Sequence, residues 1–562
     1  MLAPTLSRSL LCLATLVCLA ILGAAAPAQT YWQPPPTPSG NPTTPDKVLL
    51  GKALFWEEQL SSTNSVACGT CHIFSHGGGD PRSSQGLHPG PDGIYGTADD
   101  SRGSPGVPKN FGSGSALYGW DASFGSAPQV TPRTAPSVIN AAYQTSLFWD
   151  GRTEDSVFRD PLTLQVVLTD NAQLENLIAA PPLNEIEMGH AGRSWSDVVA
   201  KVQNAQPLAL ASNLPAPLQA FVAGKSYPQL FQQVYGTPVV DASRVILSIA
   251  AYIRTLVSDL TPVDDFTHNN NPTAITSAEF QGFLVFNSFC SGCHLNHVTL
   301  PGITPGPIRI EFANSGVRPI SEDPGRSLVT GSPVDDGKFK APDLRNVALR
   351  GPFFHNGGPN TLAEVVDFYN RGGDFHVNQS NLMQAVQNQL SATERANLVA
   401  VLRAMTDPRV ENESPPFDRP TLFAEGPNRN QSFGAATAGS GGRRPRAIAV
   451  EPAYLGAPSV TLAVDTVEAN QFAFLGLDAA PAPSPIPALG VDIHVALSPA
   501  IQLLAPGTTL GSGPGNGHLS WSFAVPAQSS LQGYQLYGQW LVTDPGGTAG
   551  FASTAGFRVT VF

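Results

Sequence analysis

Two short motifs carry the strongest chemical signal in the chain. Cys68-Gly69-Thr70-Cys71-His72 and Cys290-Ser291-Gly292-Cys293-His294 each end in a histidine directly after the second thiol. C-x-x-C-H is the attachment signature of a c-type haem. Two thiols on one helical turn add to the haem vinyl groups, and the histidine then lies under the iron as its proximal ligand. Other chemistries fit less well. Zinc ribbons pair their C-x-x-C knuckles roughly 15–20 residues apart, whereas a whole domain's length separates these two. A redox dithiol has no use for the adjacent histidine. Of the six cysteines, Cys12 and Cys18 lie in the N-terminal segment, so no thiol remains for a structural disulfide.

Covalent attachment suits an extracytoplasmic protein, and the N-terminus agrees. Arg8 precedes an apolar run from Leu10 to Leu22, which ends at Ala26-Pro27-Ala28. This reads as a signal peptide over 1–28, with no membrane anchor after cleavage. The expected location is periplasmic or secreted. The remaining composition is low in charge, 13%, with a net charge of -12. An acidic chain without a basic stripe argues against nucleic acid as a partner.

Those two sites must be positioned by helices, and the pattern supplies them. A first domain is expected over 46–265, closed by an amphipathic helix with Val245, Ile249, Ile253 and Leu256 on one face. It contains a Gly/Pro/Asp-rich insertion from Gly77 to Thr131, whose acidic stretch 92–100 reads as a solvated turn. A second haem domain is expected over 273–407. There Thr276 with Glu279, and Ser391 with Glu394, form capping boxes that open helices. Residues 408–450 read as a linker. From 451 to 562, short β-branched and aromatic runs separated by turns suggest an all-β sandwich of unknown role. The expected fold class is therefore two mainly α cytochrome c-like domains followed by a C-terminal β domain.

Around the two motifs, further segments resemble the bacterial diheme cytochrome c peroxidase family, which includes MauG-type enzymes. They are LGKALF at 50–55, RTAPSVIN at 133–140, FWDGR at 148–152 and EMG at 187–189. In the second half they are KFKAPDLRNVAL at 338–349, PFFHNG at 352–357 and TLAEVVDFY at 361–369. The resemblance spans about 48–407 and leaves the β region outside.

The resemblance implies roles. The haem on His72 would react with peroxide and the haem on His294 would relay electrons, with Trp149 as a bridge between them. Glu187 would be the distal acid/base, moving a proton from one peroxide oxygen to the other. The interval from Trp149 to Glu187 is longer than the family spacing. A calcium ion would sit on backbone carbonyls of Thr134, Arg350 and Pro352, where Thr134 replaces a more usual Asn. Tyr369 stands where the family places Met or Tyr as second ligand of the relay haem. Phenolate favours ferric iron and a low potential. Met383 and Met405 are the alternative ligands.

The histidines outside the motifs divide by context. His88, in a glycine-rich loop, is a candidate distal ligand of the first haem. His190 could line the distal pocket, and His355 could order the interface near the second. His76, four residues past His72, would share its helical side. The leading function is reduction of hydrogen peroxide with electrons from a cytochrome c or cupredoxin, or MauG-like oxidation of a partner protein. The alternatives are a non-enzymatic diheme electron carrier and an adhesion protein with accessory haem.

Overall fold

The computed structural model describes residues 32–112, 118–294, 312–504 and 506–562. The signal-peptide expectation for 1–28 lies outside them. Among the described residues, no helix is long and apolar enough to cross a membrane.

Each haem segment is built on the same crossing of two helices. In the first, Pro45–Phe55 lies against Ala242–Ile253, whose Val245, Ile246, Ile249 and Ile253 are buried. Leu256 of the expected stripe is buried just beyond the helix end. The helices approach so closely that a Cβ on Gly51 would fall 1.9 Å from the Ser248 carbonyl oxygen. In the second, Ser277–Phe289 crosses Ala392–Ala404, and a Cβ on Gly282 would fall 1.9 Å from the Asn397 carbonyl oxygen. Glycine is the residue that permits backbones to meet in this way. Both expected capping boxes are present. The Thr276 N–H donates to Glu279 at 2.6 Å, and the Ser391 N–H donates to Glu394 at 2.8 Å.

The insertion is ordered as two short antiparallel pairs, Leu87–His88 with Ser101–Arg102 and Pro105–Pro108 with Pro128–Val130. The acidic turn satisfies itself: Asp99 accepts the Asp92 N–H at 3.0 Å and Asp100 accepts the Gly96 N–H at 2.7 Å. The long interval before Glu187 is filled by the hairpin Phe158–Arg159/Val166–Leu168 and the helix Gln173–Ile178.

The linker expected over 408–450 is corrected. Its first part is a strap sealed onto the first domain. Phe417 is fully buried with its ring 5.7 Å from that of Phe74. Lys52 pairs with Asp418 at 2.8 Å. Its second part contributes strands Gln431–Phe433 and Arg446–Ile448 to the β domain. Proline and arginine read as turn chemistry, but Pro408 opens a helical turn and Arg409 pairs with the buried Asp407 and Asp259.

The C-terminal region is strand-rich as expected, and its sheets are antiparallel. One sheet runs Arg446–Ile448, Val460–Val467, Gly517–Phe523. The other is centred on Phe472–Asp478, Gln535–Thr543 and Gly556–Thr560. Inward-facing Leu462, Val464, Leu475, Trp540 and Phe557 fill the space between them, as alternation along a half-buried strand requires.

Candidate active site

Cys68–Cys71 forms one helical turn, in which Thr70 Oγ1 accepts the Ala67 N–H at 2.8 Å. His72 follows, its Nδ1 3.0 Å from the Gly78 carbonyl oxygen. A carbonyl at that distance fixes the N–H on Nδ1 and turns Nε2 outward as the ligating nitrogen. His294 repeats the arrangement, with Nδ1 3.2 Å from the Pro342 carbonyl oxygen. The second motif lies in the turn just past the helix Ser277–Phe289 rather than on the helix itself. Burial pushes the Cys68 thiol up to about 12 and moves Cys71 in the same direction, so neither is a ready thiolate. Arg82, held by Asp80 at 2.8 Å, donates to Cys71 Sγ at 3.3 Å.

Beside the second motif lies an apolar cavity bounded by Phe286, Cys290, Cys293, Tyr369 and Met383. It continues across the interface between the haem segments to Trp149, Lys340, Arg350 and His355. At that end, Arg350 Nε and His355 Nε2 are buried and unpartnered among the described residues. Burial pushes the Lys340 ammonium down to about 7 and His355 to about 4. A buried donor such as Arg350 Nε is costly unless an acceptor meets it. A flat apolar group with carboxylates on one edge, such as a haem, fits this cavity.

Trp149 stands at the junction. Its indole N–H donates to the Thr134 carbonyl at 2.8 Å, and its ring meets His355 edge-on, 6.2 Å between centroids. Phe339 stacks on the other side of His355 at 3.6 Å. The FWDGR turn is pinned by Asp150, which accepts from Arg133 at 2.7 Å and Arg152 at 2.8 Å. Arg133 also grips Asp323 of the second segment at 2.7 Å. Thr134, Arg350 and Pro352, the calcium candidates, line one cavity wall with Trp149.

Glu187 lies on the side of the first motif. Burial pushes its carboxyl up to about 7, opposed by the charge of Arg152, and its own charge bears on both Cys68 and Cys71. The backbone here is tightly held. Asn184 Oδ1 accepts the Ile186 and Glu187 N–H groups at 2.9 and 3.2 Å. Val107 N–H donates to the Ile186 carbonyl at 3.0 Å, and Gln129 donates to the Glu185 carbonyl at 2.8 Å. Arg152 and Lys340 belong to recognised segments, yet no role was read for them from sequence. Their signal was a cation placed within each landmark.

Tyr369 lies in the last turn of the helix Leu362–Arg371, which Thr361 and Glu364 cap. Burial raises its hydroxyl, and the charges of Cys293 and Cys290 raise it further, which places it beside the second motif. Met383 lines the same cavity, whereas Met405 is packed into the second core. The other histidines fall elsewhere. His88 packs edge-on to Phe124 at 5.7 Å and is held in the field of Asp100 and Asp121. His190 is aimed at Gly112. The helical turn ends at His72, so His76 does not continue its face; it bonds to the Gly351 backbone across the interface.

The family described as di-haem cytochrome c peroxidase matches residues 45–272. Cytochrome-c peroxidase IdrP1 of Pseudomonas sp. is 26% identical over 69% of this chain and 90% of its own length. The methylamine utilization protein MauG of Methylorubrum extorquens is 27% identical over 66% of this chain and 81% of its own. A solved structure of a MauG-like protein associated with microbial copper homeostasis is 24% identical, with a TM-score of 0.48, covering 69% of this chain and 97% of that one. Residues 45–272 thus match the di-haem cytochrome c peroxidase family, and relatives named as cytochrome-c peroxidase and MauG are similar over about two thirds of the chain; these similarities support a peroxide-using diheme oxidoreductase.

Proposed function

We propose that the protein reduces hydrogen peroxide at the His72 haem, with electrons passed through Trp149 from the His294 haem. Two electrons and two protons convert one peroxide to two waters. A small donor protein, cytochrome c or a cupredoxin, would supply the electrons in the periplasm or outside the cell. The haem, when bound, supplies iron to ligate peroxide and to store and pass electrons.

The observation that carries this reading is Glu187, a buried carboxyl raised to about 7 whose charge bears on Cys68 and Cys71 of the first attachment motif. A group with that affinity can take a proton from one peroxide oxygen and return it to the departing one near neutral pH. The charge of Arg152 opposes that upward shift. Trp149 lies between the segments with its ring direction fixed by Thr134 and His355. Calcium on the Thr134, Arg350 and Pro352 carbonyls would stiffen that junction. The MauG-like variant, oxidation of a partner protein, is favoured by one observation: Tyr369 lies in the second cavity beside Cys290 and Cys293. The electron-carrier alternative has no support from the relatives, which are named as peroxidases and MauG.

The test is an optical and EPR spectrum of the diheme protein before and after one equivalent of peroxide. The expected result is a high-spin or open first haem whose spectrum changes within the mixing time, followed by oxidation at the second. Two six-coordinate low-spin haems indifferent to peroxide would overturn the proposal.

A further inference from the structure

The β domain lies outside the segments that resemble the family, yet it is not an appendage. Its Asp465 side chain is fully buried and reaches into the insertion, accepting the Ser126 N–H at 2.9 Å. Arg446 braces Asp465 through two bonds, at 2.8 and 2.7 Å, and donates to the Phe124 carbonyl at 3.1 Å. Tyr118 donates its hydroxyl to the buried Glu451 at 2.9 Å, and Glu451 in turn accepts the Thr461 N–H at 2.9 Å. Trp120 stacks on His518 with centroids 5.2 Å apart. Three hydrogen bonds and one ring stack thus hold residues 118–126.

That gripped segment leads directly into Pro128–Val130, which pairs with Pro105–Pro108. The pair is pressed onto the backbone around Glu187. A Cβ on Gly106 would fall 1.9 Å from the Ile186 carbonyl oxygen and 2.9 Å from Glu187 Cα. Gln129, from the strand next to the grip, holds the Glu185 carbonyl. The line from Asp465 to Glu187 therefore runs through hydrogen bonds and backbone contact without a gap. A separation this rigid can fix a side chain's direction, and small misplacements of a reacting group are expensive in rate.

We propose that the C-terminal β domain is a positioning element for the peroxide site: by gripping residues 118–126 it presses the Pro105–Pro108/Pro128–Val130 hairpin onto residues 184–187 and sets the direction of Glu187. Asp465, Tyr118 and Glu451 are positioning residues that never touch substrate. The inference rests on the reading of Glu187 as the distal acid/base.

The experiment uses full-length diheme protein with Asp465→Ala, Asp465→Asn and Glu187→Gln, and reads both catalysis and amide hydrogen exchange. In Asp465→Ala, exchange across 184–189 should quicken about tenfold or more. Peroxide kcat should fall about tenfold or more while KM for the donor protein stays unchanged. The midpoint of the pH profile should move down as Glu187 becomes hydrated. Asp465→Asn keeps an acceptor for Ser126 and should recover most of the loss. If exchange quickens at 118–126 but stays unchanged at 184–189, the positioning proposal is overturned, whatever the activity. If Glu187→Gln turns over normally, the acid/base reading fails, while the exchange result still decides the positioning. Should Asp465→Ala not fold, Tyr118→Phe removes one grip with the ring retained, and the same two regions are compared.

Discussion

Trp149 is tied to both haem segments at once: its N–H is bonded to the Thr134 carbonyl at 2.8 Å, and its ring edge faces His355 at 6.2 Å. Thr134 itself is locked to the second segment, donating its N–H to the His355 carbonyl at 2.8 Å and its hydroxyl to the Phe354 carbonyl at 2.9 Å. The indole is thus held by a carbonyl that cannot move without moving the interface. Under the proposed function, a ring fixed this way would give electrons one defined path between the segments.

Trp149→Phe keeps a ring but removes the N–H and part of the π surface. Both haem spectra should survive, and stopped-flow mixing with peroxide should show slower oxidation of the second haem. An unchanged rate would require another route, leaving Trp149 as interface packing.

Haem stoichiometry follows from the two imidazoles. Each has Nδ1 against a backbone carbonyl, at 3.0 Å for His72 and 3.2 Å for His294, so both segments are prepared for iron at Nε2. Intact mass of the processed protein should exceed the peptide mass by two haems. Cys290→Ala with Cys293→Ala should leave one. A wild-type increment of a single haem would remove the relay.

Glu187→Gln keeps shape and one acceptor but cannot carry a proton. Peroxide turnover should fall about 10²-fold or more, which corresponds to about 2.7 kcal/mol in the barrier. Haem content and the resting spectrum should not change. Turnover within a factor of a few of wild type would reassign the acid/base.

The pH dependence has a definite sign. Burial raises the Glu187 carboxyl to about 7, so the proton-accepting form is lost as pH falls through 7, not through the ordinary carboxylate range. Peroxide kcat/KM should therefore drop about tenfold per unit well below that midpoint. Lys340, Lys201 and Glu451 are pushed into the same range. The Glu187→Gln profile separates them, because only the limb owed to Glu187 disappears in it. A wild-type profile flat from pH 5 to 8 would contradict the assignment.

Local chemistry was legible in the sequence and long-range support was not. The C-x-x-C-H motifs and both capping boxes depend on residues within one or two turns, so their spacing alone determined them. Glu187 was reachable only through the EMG context, since its proton affinity comes from burial by residues far along the chain. The contact of Val107 with Ile186 leaves no periodic trace. The strap was misread because Phe417 is a single apolar residue among prolines and arginines, and one buried ring makes no pattern. The strand Pro481–Ala488 leaves little trace for a related reason. Its prolines remove ladder donors, and among the described residues it pairs only with Val491–Val495.

Tyr369 decides between two kinds of relay haem. It lies in the last turn of the capped helix Leu362–Arg371, lines the second cavity and is buried beside Cys290 and Cys293. Burial raises its hydroxyl, so the side chain is a neutral phenol until a cation stands opposite. Met383 lines the same cavity and is the competing thioether, whereas Met405 is committed to the core. A His/Met haem shows a sulfur-to-iron charge-transfer band in the near infrared, and a His/Tyr haem does not. The wild-type protein should lack the band and show a low potential at the second haem, because an anionic oxygen favours ferric iron. Tyr369→Phe should open a coordination position there, and Tyr369→Met should create the band and raise the potential. A clear thioether band in the unmutated protein, abolished by Met383→Leu, would transfer the ligand to Met383 and remove the support for the MauG-like variant while leaving peroxide reduction intact.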